Sequence, residues 1–219
     1  MASIIAVLNM KGGSGKSTVA TNLARGLQQS GGTCIVDADP QGTALRWDNA
    51  TPEDSEMPAV FAASLPLDER IPALAKGWDY VVVDGAAKAK DRTRQSVQAA
   101  DVVLIPVRPS GADIWASEWL IGVIRNRQRM TGGTPEAAFL ISQQIVNTNL
   151  AGEIGEVLGQ YDIPVLDGRT SQRVAYAEAL SVGSTVLDMK PSSKAAAEVR
   201  KIADETLNLT QTTTASTND

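Results

Sequence analysis

The chain alternates short apolar runs with longer amphipathic stretches, and this alternation predicts its secondary structure. Five runs are rich in β-branched residues and read as strands: SIIAVLN, TCIVD, DYVVVD, DVVLIPV and AAFLISQQIV. Several of them are apolar at nearly every position, which is typical of parallel strands that helices cover on both faces. A further short strand is expected near Ala59, inside the polar segment 51–66.

Helical periodicity fills the intervals between these runs. We predict helices at roughly 17–29, 42–50, 67–76, 91–99, 113–129, 150–160, 170–181 and 192–207. Strands that alternate with helices in this way indicate an α/β fold of the doubly wound, P-loop NTPase type, with a mainly parallel sheet and helices on both faces. We expect residues 1–208 to form a single domain and residues 209–219 to form a polar, disordered tail.

Composition limits the chemistry that this fold can carry. The chain has no histidine, which excludes catalytic triads, imidazole bases and most zinc sites. Its one cysteine, Cys34, excludes a disulfide framework and any multi-cysteine site within one chain, and it fits a reducing cytoplasm. Any catalysis must therefore depend on lysine, aspartate, backbone amides or a hard metal ion.

Charge and hydropathy limit the partners. No N-terminal signal segment is visible, and no uncharged apolar run approaches the ~20 residues that span a bilayer. The net charge is −5, so that the whole chain does not attract nucleic acid. Any contact with DNA must come from a local basic patch.

The ten residues NMKGGSGKST, which follow the first strand, form the most informative motif of the chain. Gly15, Lys16 and Ser17 fit the second half of the phosphate-binding pattern G-x-x-x-x-G-K-[ST], whereas Met10 replaces its first glycine. A glycine-rich turn between a strand and a helix presents backbone amides to phosphate oxygens. The candidate nucleotide-binding residues are Lys11, Gly12, Gly13, Ser14, Gly15, Lys16, Ser17 and Thr18.

Each part of this loop has a predicted task. The backbone amides of 12–18 are expected to hold the α- and β-phosphates, Lys16 to bridge the β- and γ-phosphates, and the Ser17 hydroxyl to bind Mg²⁺. The alternative is a plain glycine-rich turn that begins a helix, with Ser14 or Ser17 as its N-cap and both lysines in solvent. Two acidic segments further along the chain favour the nucleotide site.

These two segments are IVDADPQG and YVVVDG, in which acids directly follow predicted strands. Asp37 and Asp39 end one strand and Asp84 ends another, at the edge of the sheet where the glycine-rich loop lies. Asp39 can orient water there or hold magnesium through water, and Asp84 fits the Walker B pattern of an outer-shell magnesium carboxylate. The candidate metal-binding residues are Ser17, Asp39 and Asp84.

A second lysine on the same turn, Lys11, would repel Lys16 if both served the same phosphates, so we expect it to point elsewhere. The segments KGGSGKST, DADPQG and VVVDG resemble the deviant Walker A ATPases of the ParA/MinD family, and the chain from 4 to about 207 most resembles the short ParA proteins of plasmid partition. The resemblance implies that Lys11 reaches across a nucleotide-sandwich dimer to the partner's phosphates and that Asp39 positions the attacking water. The implied catalytic residues are Lys11, Lys16 and Asp39.

The resemblance also implies a function. It indicates an ATPase that uses ATP and Mg²⁺, forms a homodimer on ATP, binds DNA nonspecifically and segregates or positions a plasmid or other cargo with a ParB-like partner. Such a protein is expected in the cytoplasm on the nucleoid and not at a membrane. One departure stands at Gly85, Ala86 and Ala87, where many relatives have two prolines, and it leaves the shape of this second switch loop open.

Basic residues in the last third of the chain are the candidates for DNA contact, because this family binds nucleoid DNA through that region. They are Arg173, Lys190, Lys194, Arg200 and Lys201, with Lys190, Lys194 and Lys201 expected on one side of the final helix. Such contacts would go to phosphates and would depend steeply on salt. The alternative is an ordinary solvated face, and the cluster RNRQR at 125–129 has the same two interpretations.

Three further features carry weaker predictions. The segment PVRPSGAD resembles a proline-containing motif near the base and the dimer surface of short ParA proteins, and its alternative is a strand exit with a helix N-cap at Asp113. Gln143 and Gln144 end a predicted strand and can either touch adenine or lie on the surface. Trp115 and Trp119, four residues apart on one predicted helix, favour packing or dimer contacts.

Two other functions stay open at this stage. A MinD-like membrane-recruited regulator needs a C-terminal amphipathic helix with bulky apolar residues, whereas the residues after Leu209 are mostly small and polar. A metabolic or metal-delivery ATPase on the same scaffold is the other alternative. The single cysteine disfavours an iron–sulfur carrier, and the sequence identifies no substrate pocket for a ligase.

Overall fold

A computed structural model describes residues 2–146 and 150–216, and it contains a six-stranded sheet in which every strand pair is parallel. The strand order is β3-β2-β4-β1-β5-β6. The strands are β1 Ser3–Val7, β2 Thr33–Asp37, β3 Ala59–Ala62, β4 Tyr80–Asp84, β5 Val102–Val107 and β6 Glu136–Ile141. This arrangement confirms the predicted doubly wound α/β fold.

Helices connect and cover these strands. They are α1 Lys16–Leu27, α2 Thr43–Ala50, α3 Leu67–Ala75, α4 Lys90–Ala99, α5 Gly111–Trp115, α6 Glu118–Thr131, α7 Leu150–Gly159, α8 Val174–Ser181, α9 Val186–Met189 and α10 Lys194–Ser216. Alternate residues of β1 enter opposite layers: Ile4 and Ala6 belong to one buried cluster, and Ile5 and Val7 to the other. Because both faces of a central strand are covered, its sequence is apolar throughout.

The predicted helix 113–129 is wrong as a single element. It is two helices, α5 and α6, and the chain turns between them at Ala116 and Ser117. The buried Ser117 hydroxyl donates to Asp113 O at 3.1 Å and accepts from Asn9 Nδ2 at 3.3 Å, which fixes the turn against the glycine-rich loop. Trp115 and Trp119 therefore lie on different helices, with Trp115 exposed.

The predicted strand AAFLISQQIV and helix 170–181 are both too long. Strand β6 ends at Ile141, and two residues later Gln143 adopts a positive φ of 53° that an extended strand does not allow. Helix α8 begins only at Val174, because Ser171 is still extended and pairs with Gln144 as an isolated parallel bridge.

The final helix differs from its prediction at both ends. It starts at Lys194, so Lys190 does not share a helix with Lys194 and Lys201, but caps the short helix α9. It continues to Ser216, across residues 209–216 that the sequence places in a polar tail. Leu209 packs against the core and Thr210 is buried, which gives these turns an inward face despite their polar composition.

Candidate nucleotide-binding site

The glycine-rich loop joins the end of β1 to the start of α1 at the carboxyl edge of the sheet. Gly13 and Gly15 have positive φ values of 75° and 89°, which only glycine adopts at low cost. Gly15 occupies the N-cap of α1, and no side chain in the described part of the chain caps the helix. Ser14 is fully buried, and its hydroxyl has no hydrogen-bond partner within the residues that the structure describes. The alternative of a serine-capped turn is therefore wrong, and the amides of the first turn of α1 are left for an anion.

Lys16 is not a solvated lysine. The residue is 7% exposed, and its ammonium donates to Lys11 O at 3.3 Å. Burial lowers the pKa of Lys16, and the nearby carboxylates of Asp84 and Asp39 offset part of this shift. A buried cation that folds back toward the glycine-rich loop is suited to bind phosphate.

Asp84 lies beside Lys16 at the end of β4, and it is the most unusual acid of the molecule. It is fully buried, and among the described residues neither carboxylate oxygen accepts a hydrogen bond of normal geometry, although the Ser17 hydroxyl lies next to it. Burial raises the pKa of Asp84 to about 7, although Ser17 and Lys16 oppose this shift. An unpartnered carboxylate next to a serine hydroxyl fits a hydrated Mg²⁺ ion.

Carboxylates alone do not form a metal cage here. Within residues 2–146 and 150–216, no group of three or more histidine, cysteine, aspartate or glutamate residues is arranged to hold a metal ion. Magnesium that binds through one or two protein groups takes its remaining ligands from phosphate oxygens and water. The site thus fits magnesium that arrives with a nucleotide.

Asp37 and Asp39 have different roles although they are two residues apart. Asp37 is buried and accepts from the backbone amides of Asp39 at 3.0 Å and Leu45 at 3.0 Å, so it shapes the loop before α2. Asp39 is half-buried and accepts from Gln41 N at 2.9 Å and Ala87 N at 3.3 Å. Asp39 therefore joins the loops that follow β2 and β4, which form the open side of the site.

Lys11 points away from Lys16, as the sequence predicts, and it contacts a distant part of its own chain. Its ammonium lies 2.6 Å from Asp113 Oδ2, and the lysine side chain is 30% exposed. Its backbone amide donates to Asn9 Oδ1 at 2.9 Å. Asn9 is buried and also donates to Pro106 O at 2.8 Å, so the loop is fastened to the end of β5.

Asp113 is held by three side chains. It accepts from Lys11, from Ser110 Oγ at 2.7 Å and from Arg108 Nε at 3.0 Å. Burial alone would raise the pKa of Asp113, but the hydrogen bonds from Lys11, Ser110 and Arg108 hold it below its usual range. The N-cap of α5 is Ser110, which accepts from Asp113 N, so the predicted N-cap at Asp113 is wrong by one turn.

Two residues that follow β6 contact the backbone of the glycine-rich loop. Ser142 Oγ donates to Ser14 O at 2.7 Å, and Gln143 Nε2 donates to Gly13 O at 3.0 Å. Beside them lies a cavity of about 240 Å³, which adjoins the start of α1. Its lining includes Gly15, Thr18, Gln143, Thr170, Ser171, Gln172, Arg173, Tyr176, Ala177 and Leu180.

This cavity is the part of the site that sequence reasoning missed. Gln143 lines it, whereas Gln144 is not among its lining residues. Most of its wall comes from 170–180, a segment with no recognisable motif. The isolated bridge between Gln144 and Ser171 brings that segment to the glycine-rich loop. No pattern in the sequence predicts this bridge.

The predicted DNA-contacting cations are only partly brought together. Arg173, Lys194 and Lys201 line one hollow along with Arg169, Asp167 and Glu198, while Lys190 and Arg200 lie outside it. Arg173 forms an ion pair with Glu198 at 2.7 Å, in which both side chains are largely buried. Lys201 approaches Asp167 at 3.4 Å in an exposed pair. Lys190, Lys194 and Arg200 form no ion pair within the described residues.

In the part of the chain that the structure covers, we find no helix with the length and apolar character to cross a bilayer.

Comparison with known proteins identifies relatives over nearly the whole chain. The family profile described as the CobQ/CobB/MinD/ParA nucleotide binding domain matches residues 5–210. Maintenance of carboxysome distribution protein A from Halothiobacillus neapolitanus is 31% identical over 207 residues, which cover 93% of this chain and 95% of that protein. Matches of lower identity include proteins named ParA, Soj and MinD.

Solved structures share the fold at lower identity. The ATP complex of a Cyanothece McdA variant has a TM-score of 0.77 at 16% identity, covering 94% of this chain and 96% of that one. The septum site-determining protein MinD of Pyrococcus horikoshii with Mg-ADP has a TM-score of 0.73 at 20% identity, again covering 94% and 96%. At these identities the likeness is one of fold.

Proposed function

The chain belongs to the CobQ/CobB/MinD/ParA nucleotide-binding family, and we propose that it is a cargo-positioning ATPase that dimerises on ATP and holds nonspecific DNA in that state. The family membership confirms the ParA/MinD resemblance. One observation supports the proposal: the two lysines of the loop have different surroundings. Lys16 is buried beside Asp84, whereas the Lys11 ammonium pairs with Asp113 and the Lys11 side chain is 30% exposed.

The protein is an ATPase that uses ATP and Mg²⁺, in keeping with related structures that contain these groups. The backbone amides of the loop and Lys16 hold the phosphates, and the Ser17 hydroxyl with Asp84 holds magnesium. Bound magnesium neutralises charge on the phosphates. Asp39, which joins both loops at the open side of the site, orients the attacking water. Lys11 crosses to the phosphates of the partner protomer.

The base of the nucleotide fits the cavity next to Thr18. This cavity adjoins the first turn of α1, where the phosphates bind, and it is large enough at about 240 Å³ for a purine. Gln143, whose amide already contacts the phosphate loop, is the predicted base-contacting residue that the geometry supports.

The cargo is either DNA or a protein assembly. The relative from Halothiobacillus neapolitanus is named for carboxysome distribution, whereas other relatives are named for chromosome partitioning. Both names describe positioning of a large object. We therefore keep the plasmid as one candidate cargo, a protein assembly as the other, and a ParB-like or equivalent cargo-bound protein as the partner that stimulates hydrolysis.

The DNA surface is proposed on the outer face of α10 and the turn before it, which would place the protein on the nucleoid within the cytoplasm. Lys190, Lys194 and Lys201 are exposed, and Arg200 is half-exposed without a carboxylate partner in the described ranges. Arg173 is different, since it forms a close, largely buried ion pair with Glu198, whereas Lys201 approaches Asp167 and Glu205 only at 3.4 Å and 3.9 Å from an exposed position. We assign Arg173 to the structure of the site and leave the other four cations as the DNA contacts.

A membrane-recruited regulator of the MinD type is less well supported. The last turns of α10 have the sequence TQTTTAS, which offers no bulky apolar residues for insertion into lipid. Vesicle co-sedimentation with ATP would reveal this activity if the protein had it.

Retention on DNA tests the proposal. With ATP and Mg²⁺ the protein should be retained on nonspecific DNA at low salt, and Lys11→Ala and Lys16→Ala should both abolish this retention. A variant of four changed cations, Lys190, Lys194, Arg200 and Lys201 to Glu, should lose DNA but keep ATP turnover. Equal retention of the parent and of both lysine variants, with and without ATP, would contradict the proposal.

A further inference from the structure

We propose that the groove between α4 and α6 is a docking site for an acidic amphipathic helix of another protein. The groove has a volume of about 380 Å³ and shares no lining residue with the cavity beside Thr18. Its apolar lining includes Trp119 and Val123, and two arginines, Arg94 and Arg127, line it as well. The inference goes beyond the proposed function, because it requires neither ATP nor a dimer.

Both walls of the groove are fixed on the core, so its shape is preformed. Val97 of α4 and Ile121 and Ile124 of α6 are buried in the same apolar cluster. The Gln95 side chain of α4 accepts from Leu67 N at 2.9 Å, which ties α4 to the start of α3. A preformed surface loses little conformational entropy when a ligand binds to it.

The groove presents large apolar side chains at the surface. Met130, at the end of α6, is 73% exposed. Trp119 lies under two cations, because Lys90 Nζ and Arg94 Cζ are each 5.5 Å from the centre of its ring. Cations over an aromatic ring attract its face and hold the ring in place. Trp119 is therefore a fixed apolar contact for an incoming side chain, the role that tryptophan often has at interfaces.

Gly122 leaves room in the groove for a close approach of another backbone. It lies inside α6, and a Cβ atom added there would meet no atom of the described residues within 4 Å. Packing within this part of the chain therefore does not require glycine at this position. Glycine inside a helix is less stable than alanine. A helix that packs closely over Gly122 would explain why no side chain stands there.

Charge indicates which kind of helix fits. Together α4 and α6 carry six basic and two acidic residues, in a chain whose net charge is −5. One of the two acids, Glu118, already accepts from Tyr161 Oη at 3.0 Å. An acidic partner is thus attracted to this face although the whole chain is acidic.

A second copy of this chain and a nucleic acid match the groove less well. Two copies of the same face would bring like charges together, which is repulsive. The phosphates of a nucleic acid would satisfy Arg94 and Arg127, but they would bury Trp119 and Val123 against a charged backbone. A helix with one acidic and one apolar face matches both the arginines and the apolar lining.

The test is fluorescence anisotropy with two labelled synthetic peptides of about 18 residues, or about five helical turns. Both have leucine at positions i, i+3, i+4 and i+7. One has glutamate and alanine elsewhere, and the other has lysine and alanine. Each peptide is titrated with the nucleotide-free parent and with the parent in Mg-ATP. We expect the acidic peptide to bind, and the basic peptide to bind at least about 10-fold more weakly.

Two variants separate charge from shape. Arg94→Glu with Arg127→Glu reverses the charge of the groove, and Gly122→Met fills it. Each should weaken binding of the acidic peptide by about 10-fold or more. Because methionine forms helices better than glycine, Gly122→Met should unfold at a temperature no lower than the parent's. Arg70→Glu with Lys76→Glu, at two exposed positions on and just after α3, is the matched control and should bind like the parent.

Several results would overturn the inference. They are no binding of the acidic peptide by the parent in either state, equal binding of both peptides, and binding that survives Gly122→Met or the arginine reversal. If one variant does not fold, the other decides. A short DNA duplex that the parent retains and the arginine reversal releases, without peptide binding, would instead identify a nucleic-acid surface.

A second copy is the remaining occupant that the experiment can reveal. Self-association of the nucleotide-free parent in sedimentation velocity, lost in Gly122→Met and without peptide binding, would replace the proposed partner with another protomer. The proposed function is tested separately, because all of these measurements can be read without an ATP-dependent dimer.

Discussion

Lys16 and Asp84 are buried side chains of opposite charge, and burial disfavours the charged form of each one. The pKa of Lys16 is lowered and that of Asp84 is raised to about 7. Such opposed shifts at adjacent groups are typical of functional sites. Among the described residues the Asp84 carboxylate accepts no hydrogen bond of normal geometry, and a magnesium ion held there would supply a counter-charge.

The variant Asp84→Asn tests whether burial of this carboxylate charge destabilises the protein. Since the folded pKa of Asp84 lies above its ordinary value of 3.8, folding favours the protonated acid, so this contribution to stability is lost as pH rises through about 7. A neutral Asn should therefore raise the free energy of unfolding of the nucleotide-free protein at pH 8 by up to about 4 kcal/mol. Urea unfolding measures it.

The same variant should lose the added stability that Mg-ATP gives to the parent. Asp54→Asn, an exposed acid, is the control and should change neither quantity. A destabilised Asp84→Asn protein, or one that Mg-ATP still stabilises fully, would contradict the role given to this carboxylate.

Glu198 connects elements, because it ties helix α10 to the segment that lines the nucleotide cavity. It accepts from Ser171 Oγ at 2.7 Å, from Tyr176 Oη at 2.8 Å and from Arg173 Nη2 at 2.7 Å. Burial would raise the pKa of Glu198, but Arg173 and Ser171 lower it below its usual range. The cluster fixes the segment between α7 and α8, which contains isolated β-bridges but no helix or strand.

Glu198→Gln should lower the free energy of unfolding by about 1–3 kcal/mol at pH 7, since it leaves Arg173 without its counter-charge. Because the folded pKa of Glu198 is depressed, its contribution is complete above its ordinary value of 4.5 and is lost as pH falls through the folded value. The difference from the parent should shrink below pH 4.5. Denaturant unfolding from pH 3 to pH 8 checks this, with exposed Glu178→Gln as control. An undiminished difference at pH 3 would exclude the ion pair as its cause.

Helices and strands were predicted well where the sequence pattern is local, and poorly where a contact with a distant residue determines the boundary. The strand ending in Asp84 and the loop at Gly15 follow from contiguous motifs. The break between α5 and α6 depends on Asn9, which lies more than a hundred residues from Ser117. The extension of α10 past Leu207 depends on Leu209 and Thr210 meeting the core, which their polar surroundings conceal.

At the scale of the whole molecule, a net charge of −5 and a DNA-binding function are compatible only through a local surface. In the proposed function, the exposed cations on α10 would supply part of that surface in one protomer. The proposed ATP-dependent dimer would carry two such surfaces, and this addition would account for a requirement of DNA binding for ATP. The sequence indicated these residues by composition, but only the structure separates Arg173, which Glu198 already engages, from the exposed lysines.

The central claim is that two protomers face one another across bound nucleotide, each lending Lys11 to its partner. Sedimentation velocity of the parent and of Lys11→Ala, with a non-hydrolysable ATP analogue and Mg²⁺, tests it most directly. We expect the parent to sediment at about twice the monomer mass only with nucleotide, and Lys11→Ala to bind nucleotide and remain a monomer. A parent that binds the analogue and stays monomeric would contradict the account.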